Sequence, residues 1–278
     1  VTAARLSEVP NAGMAAQAAI PARAPIDIAG VSQVFRRAGQ VTHALDRVDL
    51  AVAGSEFLAI VGPSGCGKST LLKIIAGLIQ RSSGSVRIDG QNVQGPYTNL
   101  GIVFQSPVLL DWRNVLDNVL VQLELRGIDP RGYRDRALEL LGKVGLGEFK
   151  DRMPRELSGG MRQRAAIVRA LIHDPPLLMM DEPFGALDAL TREQMRIDLE
   201  KLWLDRRQTT LFITHGISEA VALADRVVMM TPRPGRIDKI IPIDLQRPRH
   251  KDVLASRRFT EYCDQITECF MRHGVIRY

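Results

Sequence analysis

The stretch Gly62-Pro63-Ser64-Gly65-Cys66-Gly67-Lys68-Ser69-Thr70 decides how the rest of the chain is read. It fits the pattern G-x-x-x-x-G-K-[ST] without a mismatch. Glycines let a backbone wrap closely around an oxyanion, with several N–H groups converging inward. The flanks agree. Phe57-Leu58-Ala59-Ile60-Val61 enters the loop as a buried strand, and Leu71, Leu72, Ile74, Ile75 and Leu78 leave it at helical spacing. A helix opening near Lys68 adds its positive dipole end at the same spot. On this pattern Lys68 reaches the β- and γ-phosphates of a nucleotide and the Ser69 hydroxyl ligates Mg²⁺. The plain alternative is a glycine-rich turn with a chance lysine. At average residue usage, four fixed positions match by accident in only ~1% of chains of this length. The loop implies nucleotide binding.

Other strand ends carry polar groups that suit the same chemistry. Leu100–Phe104 is apolar and delivers Gln105, an amide able to reach Mg²⁺ or a water, though this signal is weak alone. Leu177-Leu178-Met179-Met180 runs into Asp181-Glu182. An acidic residue at such a strand end holds Mg²⁺ and its waters, and a second carboxylate can orient or deprotonate an attacking water. Thr209–Thr214 ends in His215. A lone histidine is more often structural, but ligands bind at the carboxyl ends of parallel strands, which favours a role here. A second anion site is Leu157-Ser158-Gly159-Gly160-Met161-Arg162-Gln163-Arg164. Ser158 is a good N-cap for a helix running to about His173. Glycine in a first turn costs roughly 0.5–1 kcal/mol against alanine, which close approach to a phosphate would explain.

Around these motifs the chain divides. The first 25 residues are rich in alanine without a continuous apolar core, and read as a mobile tail rather than a signal peptide. Residues 26–58 alternate, as in Val48-Asp49-Leu50-Ala51-Val52, and predict an antiparallel wing. Phe35 falls there, either stacking on adenine or sitting in the core. Ser85-Val86-Arg87-Ile88 followed by Asp89-Gly90 signals a hairpin. From Asn114 to about Val144 the pattern is helical, with a stripe of Val115, Leu116, Val119, Leu120 and Leu123. Asp129-Pro130 reads as the start of a second helix. Gln105–Asn118 joins this block to the nucleotide site and carries Leu109-Leu110 and Trp112, apolar groups available to a partner helix or to internal packing.

Composition sets limits. A chain of 278 residues with 45% hydrophobic content builds a substantial core, and no apolar run is long enough to span a bilayer. Three cysteines, one inside the phosphate loop and none at metal-ligand spacing, point to a reducing, cytosolic compartment. Cys263 and Cys269 fall on different faces if their stretch is helical. The net charge of +6 concentrates near the end, at Arg247, Arg249, His250, Lys251, Arg257 and Arg258. A solvated tail is the plainer reading of that stretch than a nucleic-acid or membrane surface, and no aromatic interleaving supports single-strand binding.

Taken together, these motifs resemble the ATP-binding subunit of ATP-binding-cassette (ABC) transporters. Lys68, Gln105, Leu157–Gln163, Asp181-Glu182, Asp188 and His215 occur in that family's order, and the resemblance covers about residues 26–245. Trp112–Val119, the run from Asp181 to Arg192, Arg233-Pro234-Gly235-Arg236 and Arg247-Pro248-Arg249 look like the nitrate, sulfonate and taurine importer branch. Asp111 and Gly216 depart from it, where the branch usually has proline and aspartate.

The resemblance implies an α/β phosphate-loop NTPase. Its mostly parallel core sheet is flanked by helices, with an N-terminal antiparallel β wing and a helical signature subdomain at about 106–165. A basic extension, 246–278, follows the domain. Adenine would stack on Phe35, and Gly62 through Thr70 would hold the phosphates of ATP. Ser69, Gln105 and Asp181 would surround Mg²⁺, with Glu182 as general base and His215 on the γ-phosphate. The signature residues Ser158, Gly159, Gly160 and Gln163 would face nucleotide held by a second copy, with Asp188 at that interface. Spacing alone leaves open whether one chain or two complete the site. The implied function is ATP-driven import of a small anionic solute through a separate permease, served by a solute-binding protein, on the inner face of the cell membrane. Export or lipid extraction is the alternative. Cassettes acting on nucleic acid usually carry long coiled coils or metal hooks, and no sustained heptads or Cys-x-x-Cys occur here, so no nucleic-acid partner is expected.

Overall fold

The computed structural model describes residues 23–37 and 39–275. The chain opens with two long strands, β1 (Ile26–Arg37) and β2 (Gln40–Val52), then β3 (Phe57–Val61), the phosphate loop and α1 (Lys68–Ile75). A hairpin of β4 (Ser83–Ile88) and β5 (Gln91–Asn92) leads to β6 (Leu100–Val103). Three helices follow: α2 (Val115–Glu124), α3 (Arg134–Lys143) and α4 (Gly159–Leu171). The remainder alternates: β7 (Leu177–Asp181), α5 (Ala189–Arg206), β8 (Thr209–Thr214), α6 (Ile217–Leu223), β9 (Arg226–Met230) and β10 (Ile237–Pro242). It ends in α7 (Lys251–Leu254) and α8 (Arg257–Arg272).

Two sheets result. The wing is four-stranded and antiparallel, ordered β2-β1-β4-β5, and its β4–β5 turn has positive φ at both Asp89 and Gly90. The main sheet is six-stranded, ordered β10-β9-β3-β8-β7-β6, with every pairing parallel except β9 with β10. Its central strands β3, β7 and β9, unlike the alternating edge strand β10, read as near-continuous apolar runs because both faces are covered. Alternate residues of β3 show this. Phe57, Ala59 and Val61 enter a core shared with α2–α6 and α8, while Leu58 and Ile60 enter one shared with α1 and the wing. Side chains two apart share a sheet face, so one strand feeds both cores.

The helical stripe lies inward as the periodicity predicts: Val115, Leu116, Val119 and Leu123 are essentially buried. Asn114 caps α2, its side chain accepting from Asp117 N at 2.7 Å. Asp129-Pro130 opens a 3₁₀ turn over Pro130–Tyr133, with Asp129 accepting from Arg131 N, and α3 begins behind it. The proline expectation therefore names the right place but the wrong helix type.

The ends of the chain differ from the sequence reading. The tail expected over 1–25 lies mostly outside the described residues, but Arg23 pairs with Asp174 at 3.1 Å and Ala24 is buried. The C-terminal stretch is not a solvated tail. Tyr262, Ile266, Cys269 and Phe270 of α8 are part of the main core. Arg249 is 1% exposed and donates to the carbonyls of Val221 and Ala224, each at 2.7 Å. Arg247 ion-pairs with Glu200 at 3.3 Å and Asp225 at 2.8 Å. Arg257 does face solvent. Both C-terminal cysteines lie on α8 as free thiols, Cys269 in the core and Cys263 half-buried at its margin.

Candidate active site

The carboxyl ends of five parallel strands meet along one edge of the main sheet. A cavity of about 420 Å³ opens over the phosphate loop there. Its walls include Ser64, Gly65 and Gly67–Thr70 of the loop, Phe35, Thr42 and Ala44 of the wing, and Gln105, Glu182 and Arg233. Phe35 is 41% exposed on this rim, which removes the plain-core reading. Gly67 has φ +109, and a Cβ there would meet Leu45 Cδ2 at 2.7 Å and the Ala44 carbonyl at 2.8 Å. Only glycine allows this turn into α1. Gly62 and Cys66 are buried beneath the loop and support it from behind. Burial also pushes the Cys66 thiol up. Pro63 is half-buried.

The charged groups converge on Glu182. Lys68 Nζ lies 3.9 Å from Glu182 Oε1 and donates to the carbonyls of Gly62 at 2.8 Å and Pro63 at 3.1 Å. Gln105 Nε2 and His215 Nδ1 are 3.5 Å and 3.4 Å from Glu182 Oε2. Glu182 itself has φ 47 and donates its N–H to the Ile213 carbonyl at 2.9 Å. A left-handed conformation at a non-glycine residue stores strain, typically about 1–3 kcal/mol, and such strain clusters where chemistry is done. Beside it, Ser69 donates its hydroxyl to Asp181 Oδ1 at 2.9 Å. Burial raises Asp181 above the usual carboxylate range, the Ser69 hydrogen bond opposes this, and the Glu182 charge adds to it. A buried carboxyl under that pressure is relieved by a cation.

Among the described residues, no group of three or more His, Cys, Asp or Glu side chains is arranged to hold a metal by itself. The oxygens of Ser69 and Asp181 suit a small hard cation whose remaining ligands come from phosphates and water, as Mg²⁺ requires.

The second anion motif stands apart from this cavity. Ser158 caps α4, accepting from Met161 N at 3.2 Å, and it and Gly159 are exposed. Asp188 likewise caps α5, accepting from Thr191 N at 3.0 Å. Neither lines the cavity. Two details correct the sequence reading. A Cβ on Gly160 would meet Thr191 Cγ2 at 2.4 Å, so packing of α4 on α5 already demands glycine there. Gln163 is 2% exposed and donates to the Phe104 carbonyl at 3.3 Å, tying α4 to the segment that carries Gln105 rather than facing a ligand.

At Gly216 the backbone N–H donates to Thr214 Oγ1 at 2.9 Å, and Thr214 donates in turn to Glu219 at 2.5 Å. Glu219 thus supplies a carboxylate where Gly216 has none, and it lies 3.5 Å from Arg192 Nε.

Sequence reasoning missed three features. Arg233 lines the cavity although 168 positions separate it from Gly65. Asn118, fully buried, accepts from Leu110 N and donates to the carbonyls of Leu110, Arg113 and Asn114, which fixes the loop before α2. That loop turns Leu109 inward, half-buries Leu110 and leaves Trp112 74% exposed, so of the three apolar groups Trp112 is the most open to a partner. Thirdly, a groove of about 520 Å³ opens beside α2, with Leu78, Tyr97 and Leu125 among its walls.

Residues 45–185 match the family model for the ABC transporter. The chain is 46% identical to a taurine import ATP-binding protein, TauB, of Rhizobium johnstonii, over 83% of this chain and 90% of that one. It is 39% identical to an aliphatic sulfonates import ATP-binding protein, SsuB, of Bacillus cereus, over 91% and 98%. The fold superposes on the dimeric structure of MJ0796, a bacterial ABC transporter cassette, with TM-score 0.71 and 32% identity over 78% of this chain and 98% of that chain. A post-hydrolysis state of the same cassette, bound to ADP and Pi, gives TM-score 0.70 at 31% identity over the same shares. The chain thus belongs to the ATP-binding family of ABC transporters and is an ATPase that works on ATP with Mg²⁺.

Proposed function

We propose that this ATPase powers import of a small anionic solute, of the taurine or sulfonate kind, through a separate membrane permease. The observation that carries the catalytic part is the convergence of Lys68, Gln105 and His215 on Glu182 beside the Ser69–Asp181 pair. In this reading the amides of Ser64–Thr70 and the Lys68 ammonium cradle the β- and γ-phosphates. Mg²⁺ would be held by Ser69, Gln105 and Asp181, and supplies charge neutralisation on the transferred phosphoryl group. Glu182 orients and deprotonates the attacking water, and His215 holds the γ-phosphate side of the pocket. Phe35 stacks on the adenine. Ser158 and Gly159 offer exposed amides at the start of α4, suited to the γ-phosphate of nucleotide held by a second copy, with Asp188 close to that contact.

The direction of transport rests on the relatives named for taurine and aliphatic sulfonate import. A permease contact is supported by Trp112 and by the groove beside α2, where Leu78 and Leu125 are 49% and 78% exposed. No helix among the described residues is long and apolar enough to cross a membrane. The chain would therefore sit on the inner face of the cell membrane through that permease, which in turn receives solute from a binding protein.

Copurification from detergent extracts tests this reading. An integral-membrane permease should be recovered with the wild type, and less of it with Trp112→Ala, while ATP affinity stays within twofold. Recovery of nucleic acid, or of a permease that moves solute outward, would overturn the assignment.

A further inference from the structure

The loop between β9 and β10, Thr231-Pro232-Arg233-Pro234-Gly235-Arg236, turns back against the underside of the phosphate loop. It is pinned from both sides. Gly235 N donates to the Ala44 carbonyl and Asp46 N donates to the Gly235 carbonyl, each at 3.0 Å. A Cβ on Gly235 would meet the Cys66 carbonyl at 2.0 Å, so backbone lies directly on backbone. Arg236 pairs with Asp46, and its N–H donates to Thr231 Oγ1 at 3.0 Å.

This rigid loop delivers Arg233 to the nucleotide cavity. Its Nε and Nη2 both donate to the Gly65 carbonyl, at 3.2 Å and 3.1 Å. A loop whose amides converge on an anion must turn its carbonyls outward, and each needs a donor. Lys68 serves Gly62 and Pro63, Leu71 N serves Gly67 at 2.8 Å, and Arg233 serves Gly65. Among the described residues no carboxylate pairs with Arg233, whereas Arg236 nearby has Asp46. An uncompensated guanidinium on the wall of a phosphate cavity is available to phosphate.

We propose that Arg233 belongs to the nucleotide site, adding a second cation to the polyphosphate pocket while holding the Gly65 carbonyl outward. The inference rests on Gly62–Thr70 being the loop that holds ATP. Nucleotides with longer phosphate chains gain most from it.

The test measures binding of ATP, ADP and AMP by titration calorimetry at low and at physiological salt. Arg233→Gln keeps a donor for Gly65 but removes the charge, Arg233→Lys keeps the charge, and Lys68→Ala serves as control. Arg233→Gln should weaken ATP binding roughly three- to tenfold at low salt, a range expected of a partly screened cation. The loss should grade down from ATP to AMP and shrink as salt rises, and Arg233→Lys should recover most of it. Wild-type ATP affinity in Arg233→Gln, with Lys68→Ala impaired, overturns the role of Arg233. An equal loss for ATP and AMP that salt does not change overturns it too, since that is the mark of a merely structural side chain. Undiminished ATP binding in Lys68→Ala overturns the loop assignment and this inference with it.

Discussion

Two arginines from the same basic stretch, Arg249 and Arg257, should behave oppositely when removed. Arg249 is buried, with two 2.7 Å bonds to the Val221 and Ala224 carbonyls at the end of α6 and two longer ones, of 3.4 Å, to Ile243 and Leu245. Burial lowers its guanidinium only to about 10, so it stays charged at neutral pH. Hydrogen bonds to a charged group contribute about 1.5–3 kcal/mol each, so the two short ones set a scale of roughly 3–6 kcal/mol. Relief of guanidinium desolvation returns part of that. Arg249→Met keeps the aliphatic stem but strands the carbonyls, and should cost about 3–4 kcal/mol. At roughly 2–4 °C per kcal/mol for a chain of this class, the melting temperature should fall by about 6–16 °C. The Arg257 side chain is 93% exposed beside Glu261 at 2.9 Å, and Arg257→Ala should stay within about 0.5 kcal/mol. Urea and thermal unfolding of nucleotide-free protein read both. A loss below about 1 kcal/mol for Arg249→Met, or equal losses for the two variants, would refute a stabilising role for the buried bonds of Arg249 to α6.

Three other outcomes are expected. Glu182→Gln should lower steady-state ATP turnover about 10²–10⁴-fold with ATP affinity retained, because the shape survives and the proton acceptor does not; wild-type turnover would remove Glu182 from its role. His173 is pushed down from 6.5 to about 4, first by burial and then by the Arg126 cation. The unfolded chain binds that proton first, so stability should fall as pH drops from about 6.5 toward about 4, and His173→Gln should flatten the fall in urea midpoint. An unchanged pH profile would exclude His173 as its source. Lys68→Ala chains mixed with Ser158→Arg chains, both also carrying Glu182→Gln, should trap one ATP per pair if two copies share each site. A mixture that traps none, while the Glu182→Gln parent traps readily, would count against sharing.

What the sequence made legible is what lies close together along it. Phe57–Thr70 holds a strand, an anion loop and a helix start within one stretch, and local chemistry dictates each of them. The strand ends at Gln105, Asp181-Glu182 and His215 were readable because parallel strands aim their carboxyl ends at one edge. Burial of charge was not readable. Arg247 and Arg249 look like any solvated cations until Glu200, Asp225 and the α6 carbonyls are folded around them. Gly160 gave the right residue for a different reason, since its demand for glycine comes from Thr191, a contact that spacing does not reveal. Gln163 turned inward and Leu109, left open between packing and a partner, packs inside, because a polar or apolar side chain in a loop or first turn can face either way. Arg233 was visible only as part of a familiar-looking run. Its partner Gly65 lies in a strand-end loop from the opposite end of the chain.

The strand order β10-β9-β3-β8-β7-β6 has a consequence for how this molecule can change over evolutionary time. Arg233, the phosphate loop, His215, Glu182 and Gln105 follow β9, β3, β8, β7 and β6 in turn, side by side along one rim. The strand interiors are mostly apolar packing, joined in β8 by the buried threonines Thr209 and Thr210, and none of them lines the nucleotide cavity. Mutations therefore sort into two nearly independent purses of variation. Rim substitutions alter turnover or nucleotide preference with little effect on melting, and interior ones do the reverse. A lineage can retune how fast the ATPase runs without renegotiating whether it folds.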